Sequence, residues 1–386
     1  MAKNSTVVGY FPNWLYDRYD ISNIDFKSYT HIHYAFAVML KKNGLVPTWT
    51  DTNAPPIQLP KLVKAAHAAN TKVLISVGGW TGSQTFSNMA KTAARRKAFI
   101  DWNIEQIKNF KTDGVDIDWE YPGRQGEGCN AFDSKNDVKN FLVLLKEMRQ
   151  ALDKEFKTHK ELTIAGYVQG FQAESGGSKE LTADIGEVLD RVNIMAYDIN
   201  GAWALQTGPN APLNAANNGM SFNSGIDFWL SQGVPASKLT AGLAFYGRSS
   251  TALEDMTKTH SIVQKQKAGD PPQGDSDDAP WPSPYCHLAP SGVSGNWKFR
   301  NLIKDGVLTT PFTAAKPWVR TWDKESATPW LFKPGNNTFI SYDDPHSIGL
   351  KVKSAMKKGI SGVMVWEISQ DSENGDLMKA IQKNLK

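Results

Sequence analysis

Apolar residues gather along the chain in eight short runs rich in Val, Ile, Tyr and Phe: 6-TVVGYF-11, 31-HIHYAFAV-38, 72-KVLISVGG-79, 114-GVDIDWEY-121, 162-LTIAGYV-168, 191-RVNIMAYD-198, 239-LTAGLAFYG-247 and 360-ISGVMVWE-367. Between most of them the apolar positions change to three-and-four spacing with charges opposite, the mark of an amphipathic helix. These helical stretches cover roughly 57–69, 84–110, 135–157, 180–190, 221–232, 344–358 and 373–385, and 138-VKNFLVLLKEMRQALDKEF-156 is the clearest. Strands alternating with helical crossovers predict a parallel α/β fold, and eight of them predict a closed (β/α)8 TIM barrel. An open doubly wound sheet is the alternative, but the Gly-rich phosphate turn expected after its first strand is missing.

One gap is too long for a crossover. From about Arg248 to Ile340 the chain is rich in Pro, Gly and Asp, as in 269-GDPPQGDSDDAPWPSP-284, and carries short apolar runs of its own. It predicts a small inserted domain, 249–340, between strands 7 and 8 of a barrel formed by 1–248 and 341–386.

Composition narrows the picture. With 40% hydrophobic and 21% charged residues in 386, the chain is an ordinary globular one. The net charge of +4 is small and its basic residues are dispersed, which argues against a nucleic-acid partner. No apolar run is long enough for a membrane span, and 1-MAKNSTVVGYF-11 lacks a signal-peptide core, so the chain reads as the mature part of a secreted protein or as a cytosolic one. Asn4 and Asn336 begin Asn-x-Ser/Thr acceptor sites, which are compatible with secretion. The two cysteines, Cys129 and Cys286, form no disulfide framework or Cys-based metal site, and are compatible with either a pair or two thiols. Thirteen Trp, 11 Tyr and 17 Phe are a generous supply of flat apolar surface, for a core or for sugar rings.

The unusual stretch is 113-DGVDIDWEYP-122, four acids in a segment that otherwise reads as buried. Strand side chains alternate faces, so Asp116, Asp118 and Glu120 share one face, and Val115, Ile117 and Trp119 the other. In a barrel the apolar set packs against helices, and the acids point inward toward the C-terminal end, where barrel sites lie. Mutual repulsion and burial then force at least one proton to stay on the set, as a general acid near neutral pH requires. Asp113 precedes the strand and is expected to be structural, capping a turn at Gly114. A metal site is disfavoured because all three acids come from one strand with no His beside them. His31 and His33 are expected to be satisfied structural groups.

With this strand in view the sequence resembles the family 18 glycoside hydrolases, the chitinases, whose Asp-x-x-Asp-x-Asp-x-Glu signature the stretch matches. Further landmarks fall in order: 76-SVGGW-80, 195-MAYD-198, 246-YGR-248 and 365-VWE-367. The long gap matches the α+β insertion of deep-cleft members. The resemblance implies a TIM barrel that hydrolyses β-1,4-linked N-acetylglucosamine polymers with retention, the substrate's own acetamide oxygen attacking the anomeric carbon. It implies that Glu120 is the general acid and base, that Asp118 bonds the acetamide N–H, and that Asp116 holds the alternate proton. Tyr197 would bond the acetamide oxygen. Trp366 would form the floor under the cleaved sugar, with Tyr10, Phe36, Trp80, Met195, Asp198, Trp203, Tyr246 and Arg248 as further substrate contacts. Trp281 and Trp318 are candidates for one wall, whereas Ser76, Gly78 and Gly79 are read as structural. No cofactor or metal is implied, the partner is chitin or a chito-oligosaccharide, and a monomer is expected. The rival readings are a chitin-binding lectin on the same fold and an endo-β-N-acetylglucosaminidase acting on N-glycans.

Overall fold

The computed structural model describes residues 5–15, 17–172 and 179–386. Asn4 lies outside these residues. Eight strands coincide with the eight runs: Thr6–Pro12, His31–Val38, Lys72–Gly78, Gly114–Asp118, Glu161–Tyr167, Arg191–Met195, Leu239–Ala244 and Gly362–Trp366. They follow one another in a single parallel sheet whose first strand pairs with both the eighth and the second, the order of a closed eight-stranded barrel. Helices Ala54–Ala68, Asp137–Glu155, Lys179–Val188, Phe222–Ser231, Pro345–Lys357 and Asp376–Asn384 fall where the helical periodicity places them.

Three boundaries differ from the expectation. The stretch 84–110 is two helices, Phe86–Ala90 and Ala93–Phe110, because Thr92 starts a new one by accepting the N–H of Arg95 at 3.3 Å. The fourth strand ends at Asp118, so Trp119 and Glu120 follow it rather than belonging to it. The seventh ends at Ala244, and Tyr246 opens a different strand, Tyr246–Ala252. The apolar run 239–247 conceals this break, because both strands are buried and neither interrupts the hydrophobic pattern.

Strand Tyr246–Ala252 belongs to an antiparallel sheet with Thr338–Ser341, Thr328–Lys333 and Val319–Asp323, and two short strands, Gln266–Lys267 and Asn296–Lys298, also pair with it. Trp330, Phe332 and Phe339 of this sheet form a core with Ala252, Met256 and Ile262.

The backbone packs as two compact units. The first is Met1–Ile194 with Phe228–Thr240 and Pro284–Ala289; the second is Met195–Asp227 with Ala241–Ser283 and Pro290–Lys386. In the first unit the cysteines are joined, Cys129 to Cys286, with their Cα atoms 5.7 Å apart. Segment 284–289 is further held by the Gln84 amide, which donates to the Tyr285 carbonyl at 2.9 Å. Among the described residues no helix is long and apolar enough to cross a membrane.

Candidate active site

The acid-bearing strand is positioned from behind. Val115 and Ile117 are fully buried, and the Trp119 indole stacks on Phe86 at 5.5 Å and meets Phe141 edge-on at 5.2 Å. Burying an indole contributes about 5 kcal/mol before entropy is counted, so this face holds the register of the opposite one. On that face Asp116 pairs in register with Ser76 of the third strand and Thr163 of the fifth. Partners in register share a face, and both hydroxyls use it: Ser76 donates to Asp116 Oδ2 and Thr163 to Oδ1, each at 2.7 Å. The Tyr10 phenol donates to the same Oδ2 at 2.8 Å and lies 3.5 Å from Asp118 Oδ1, while His33 Nδ1 lies 3.1 Å from Asp116 Oδ2.

These donors split the two aspartates. Burial alone would raise Asp116, but the His33 ring beside it, and then Asp118 and Ser76, hold it well below the usual carboxylate range. Asp118 goes the other way, pushed well up by burial and then by the charge of Asp116. The opposite directions favour the proton of the pair on Asp118, as alternation of the acids along the strand leads us to expect.

Glu120 is half-buried beyond the strand end, and its backbone is tied on both sides. Its N–H donates to Ser83 Oγ at 3.0 Å, and the Asn130 amide donates to its carbonyl at 3.1 Å and to that of Trp80 at 2.9 Å. Gly78 and Gly79 are needed for this approach. A Cβ on Gly78 would stand 2.3 Å from the Asp118 carbonyl oxygen, and one on Gly79 would stand 2.7 Å from the Phe36 ring.

Other expected positions take different roles. Tyr10, expected as a substrate wall, is 1% exposed, and its phenol serves the carboxylates instead. Asp113 does not cap a turn at Gly114; it accepts the N–H of Val73 and lies against His67 Nε2, both at 2.7 Å. Trp80 is half exposed, with its ring edge-on to Tyr121 at 6.3 Å, and Phe36 lies beside the exposed Trp14.

The second unit gathers another group. Asp198, at positive φ, accepts from the Tyr246 phenol, from Arg248 Nε at 2.8 Å and from Arg248 Nη2 at 2.6 Å. Burial and the charge of Asp198 push the Tyr246 phenol well up, so it stays a donor. The exposed Trp203 ring lies 5.1 Å from the Arg248 guanidinium. Tyr197 and Trp366 pack against Ala211, Ala244 and Tyr246, and the Tyr197 hydroxyl lies 3.5 Å from the Met364 sulfur. Met195 ends the sixth strand, half-buried. Trp281 is 54% exposed and Trp318 half-buried beside Lys333.

The sequence reading passed over His33, Ser76 and Thr163 as chemistry. The signal available was parity: each sits at an inward position of a strand flanking or facing the acids. Among the described residues no group of three His, Cys, Asp or Glu side chains could hold a metal ion.

A parallel β/α barrel with two buried carboxylates at one strand end, pushed in opposite directions, and a third just beyond defines a carboxylate-bearing class of TIM barrel. Within that class the chain belongs to the Glycosyl hydrolases family 18, whose model matches residues 6–371. It is 32% identical to Chitinase A1 of Niallia circulans over all of its own length and 58% of that protein. It is also 32% identical to a chitinase-like effector of Moniliophthora roreri, covering 94% of this chain and 88% of the relative. A crystal structure of a chitinase from Rhizomucor miehei superposes with a TM-score of 0.87 at 31% identity, covering 99% of this chain and 100% of that one.

Proposed function

We propose that this protein is a secreted chitinase that cleaves β-1,4 bonds between N-acetylglucosamine units with retention, using the substrate's acetamide as nucleophile. The observation that carries the reading is the convergence of three hydroxyl donors on Asp116 beside an Asp118 that burial and the charge of Asp116 push well up. In the proposed reaction Glu120 gives its proton to the glycosidic oxygen as the C1–O bond breaks. The acetamide carbonyl oxygen forms the new bond to C1, giving an oxazolinium ion. Asp118 accepts the acetamide N–H through its free oxygen, and the negative charge of Asp116 beneath it favours the positive ring. Glu120, now a carboxylate, takes a proton from the water that reopens the ring. The Tyr197 phenol is assigned to the acetamide oxygen, Trp366 to the sugar face, and Asp198 with Arg248 to polar contacts with the chain of sugars. The Cys129–Cys286 bond supports an oxidising, extracellular setting.

A second reading is chitin binding without turnover, favoured by the similarity to a protein named a chitinase-like effector. Release of fluorophore from a chitobioside separates the two. We expect turnover by the wild type, and a loss of at least about 100-fold in kcat for Glu120→Gln with oligosaccharide binding retained. Binding without release by the wild type would rule out the hydrolase.

A further inference from the structure

We infer that Arg191 and His33 are a positioning pair beneath the carboxylates: Arg191 decides which ring nitrogen of His33 carries the proton, and His33 thereby keeps Asp116 the anion. Arg191 opens the sixth strand, and its Nη2 lies 3.3 Å from His33 Nε2. A guanidinium has hydrogens to give and no lone pair to offer. Nε2 must therefore accept, and the single proton of the neutral ring is confined to Nδ1, 3.1 Å from Asp116 Oδ2.

The surroundings hold this arrangement from every side. Glu161 of the fifth strand balances Arg191 at 3.5 Å, lies 2.9 Å from His31 Nε2, and receives Lys72 of the third strand at 3.2 Å. His31, two residues before His33 on the same strand, lies 3.4 Å from Arg191 and is pushed down to about 4 by burial and then by that guanidinium, so it adds no charge at neutral pH. The Tyr10 ring meets the His33 ring at 5.0 Å, and its hydroxyl is already committed to Asp116. Arg191 and His33 are 5% and 0% exposed, so water does not compete for either nitrogen.

A symmetric pair of buried aspartates has no preferred home for its proton. Turning the N–H side of His33, and not a lone pair, toward Asp116 at 3.1 Å breaks that symmetry and favours the proton on Asp118, the residue nearer Glu120 in sequence. The catalytic consequence rests on the hydrolytic reading; the tautomer does not.

Two measurements on the full chain test the inference. Nitrogen-15 NMR of the histidine rings, with His33 assigned from a His33→Asn variant, should show the His33 proton on Nδ1 and a lone pair on Nε2. A ring protonated at Nε2, or at both nitrogens, overturns the proposal whether or not the protein turns over substrate, whereas a correct tautomer without turnover would sink only the hydrolytic reading. The second measurement is the pH profile of kcat/KM. Arg191→Met should move its acid limb up by about one pH unit with KM within about twofold, and Arg191→Lys should restore at least about half of that. Asn can present an amide N–H near the position of the imidazole Nδ1–H and needs no partner to fix its proton. In a His33→Asn background Arg191→Met should therefore move the limb by less than about 0.3 unit. An equal shift in both backgrounds would show that Arg191 does not act through His33. Should Arg191→Met not fold, the wild-type NMR spectrum still decides.

Discussion

Ser76 and Asp116 face each other in register on adjacent parallel strands, and the serine hydroxyl donates to the carboxylate at 2.7 Å with neither residue exposed. A hydrogen bond to a buried charge contributes about 1.5–3 kcal/mol. Asp116 is a depressed carboxyl, so its contribution to stability is present above the unfolded-state pKa and is lost as pH falls through the folded value. Removing a donor raises the folded value. Ser76→Ala is therefore expected to lower stability at pH 7 by about 2 kcal/mol and to bring acid unfolding to higher pH, measured by urea melts across the acid range. Equal melts at pH 7 would show that the hydroxyl is dispensable.

Asn130 holds two carbonyls with one amide, those of Trp80 and Glu120. Asn130→Ala leaves both without this donor, and we expect kcat to fall about tenfold through misplacement of Glu120, with a smaller change in KM. Asn130→Asp, which turns acceptors toward the carbonyls, should be worse than Ala. The order of the two variants in a turnover assay is the check.

Glu367 is buried with one carboxyl oxygen lacking a partner among the described residues, and burial pushes it up to about 7. The native state then holds a proton that the unfolded chain releases near pH 4.5, so stability falls as pH rises from there to about 7. Glu367→Gln should abolish that fall. The variant should equal the wild type near pH 4 and exceed it by about 3 kcal/mol at pH 8, read from denaturant midpoints. A constant difference at both pH values would place the effect elsewhere.

The Cys129–Cys286 bond closes a loop with a sequence separation of 157. By chain entropy alone such a closure stabilises by about 5 kcal/mol, an upper figure because unfolded chains retain structure. Thermal melts with and without reductant should separate by several degrees for the wild type and coincide for Cys129→Ser with Cys286→Ser.

The barrel was legible because each strand is a short apolar run bounded by helical periodicity, and the acids were legible because alternation puts Asp116 and Asp118 on one face. What surrounds Asp116 was not. Tyr10, His33, Ser76 and Thr163 come from four different strands, and only register brings them to one carboxylate. Tyr10 was singled out for its place at a strand end, but its depth within the barrel, not its position in sequence, makes it a partner of the acids. Pairing of the cysteines was equally out of reach, since no local pattern links residue 129 to residue 286.

That pairing gives the chain an uncommon connectivity. Residues 284–289 pack with the first unit although the chain on either side of them belongs to the second. A single protease cut anywhere between Cys129 and Cys286 leaves one covalent molecule, its halves separable only by a thiol. Outside the cell, where proteases are common and free thiols scarce, a nicked copy keeps both of its pieces.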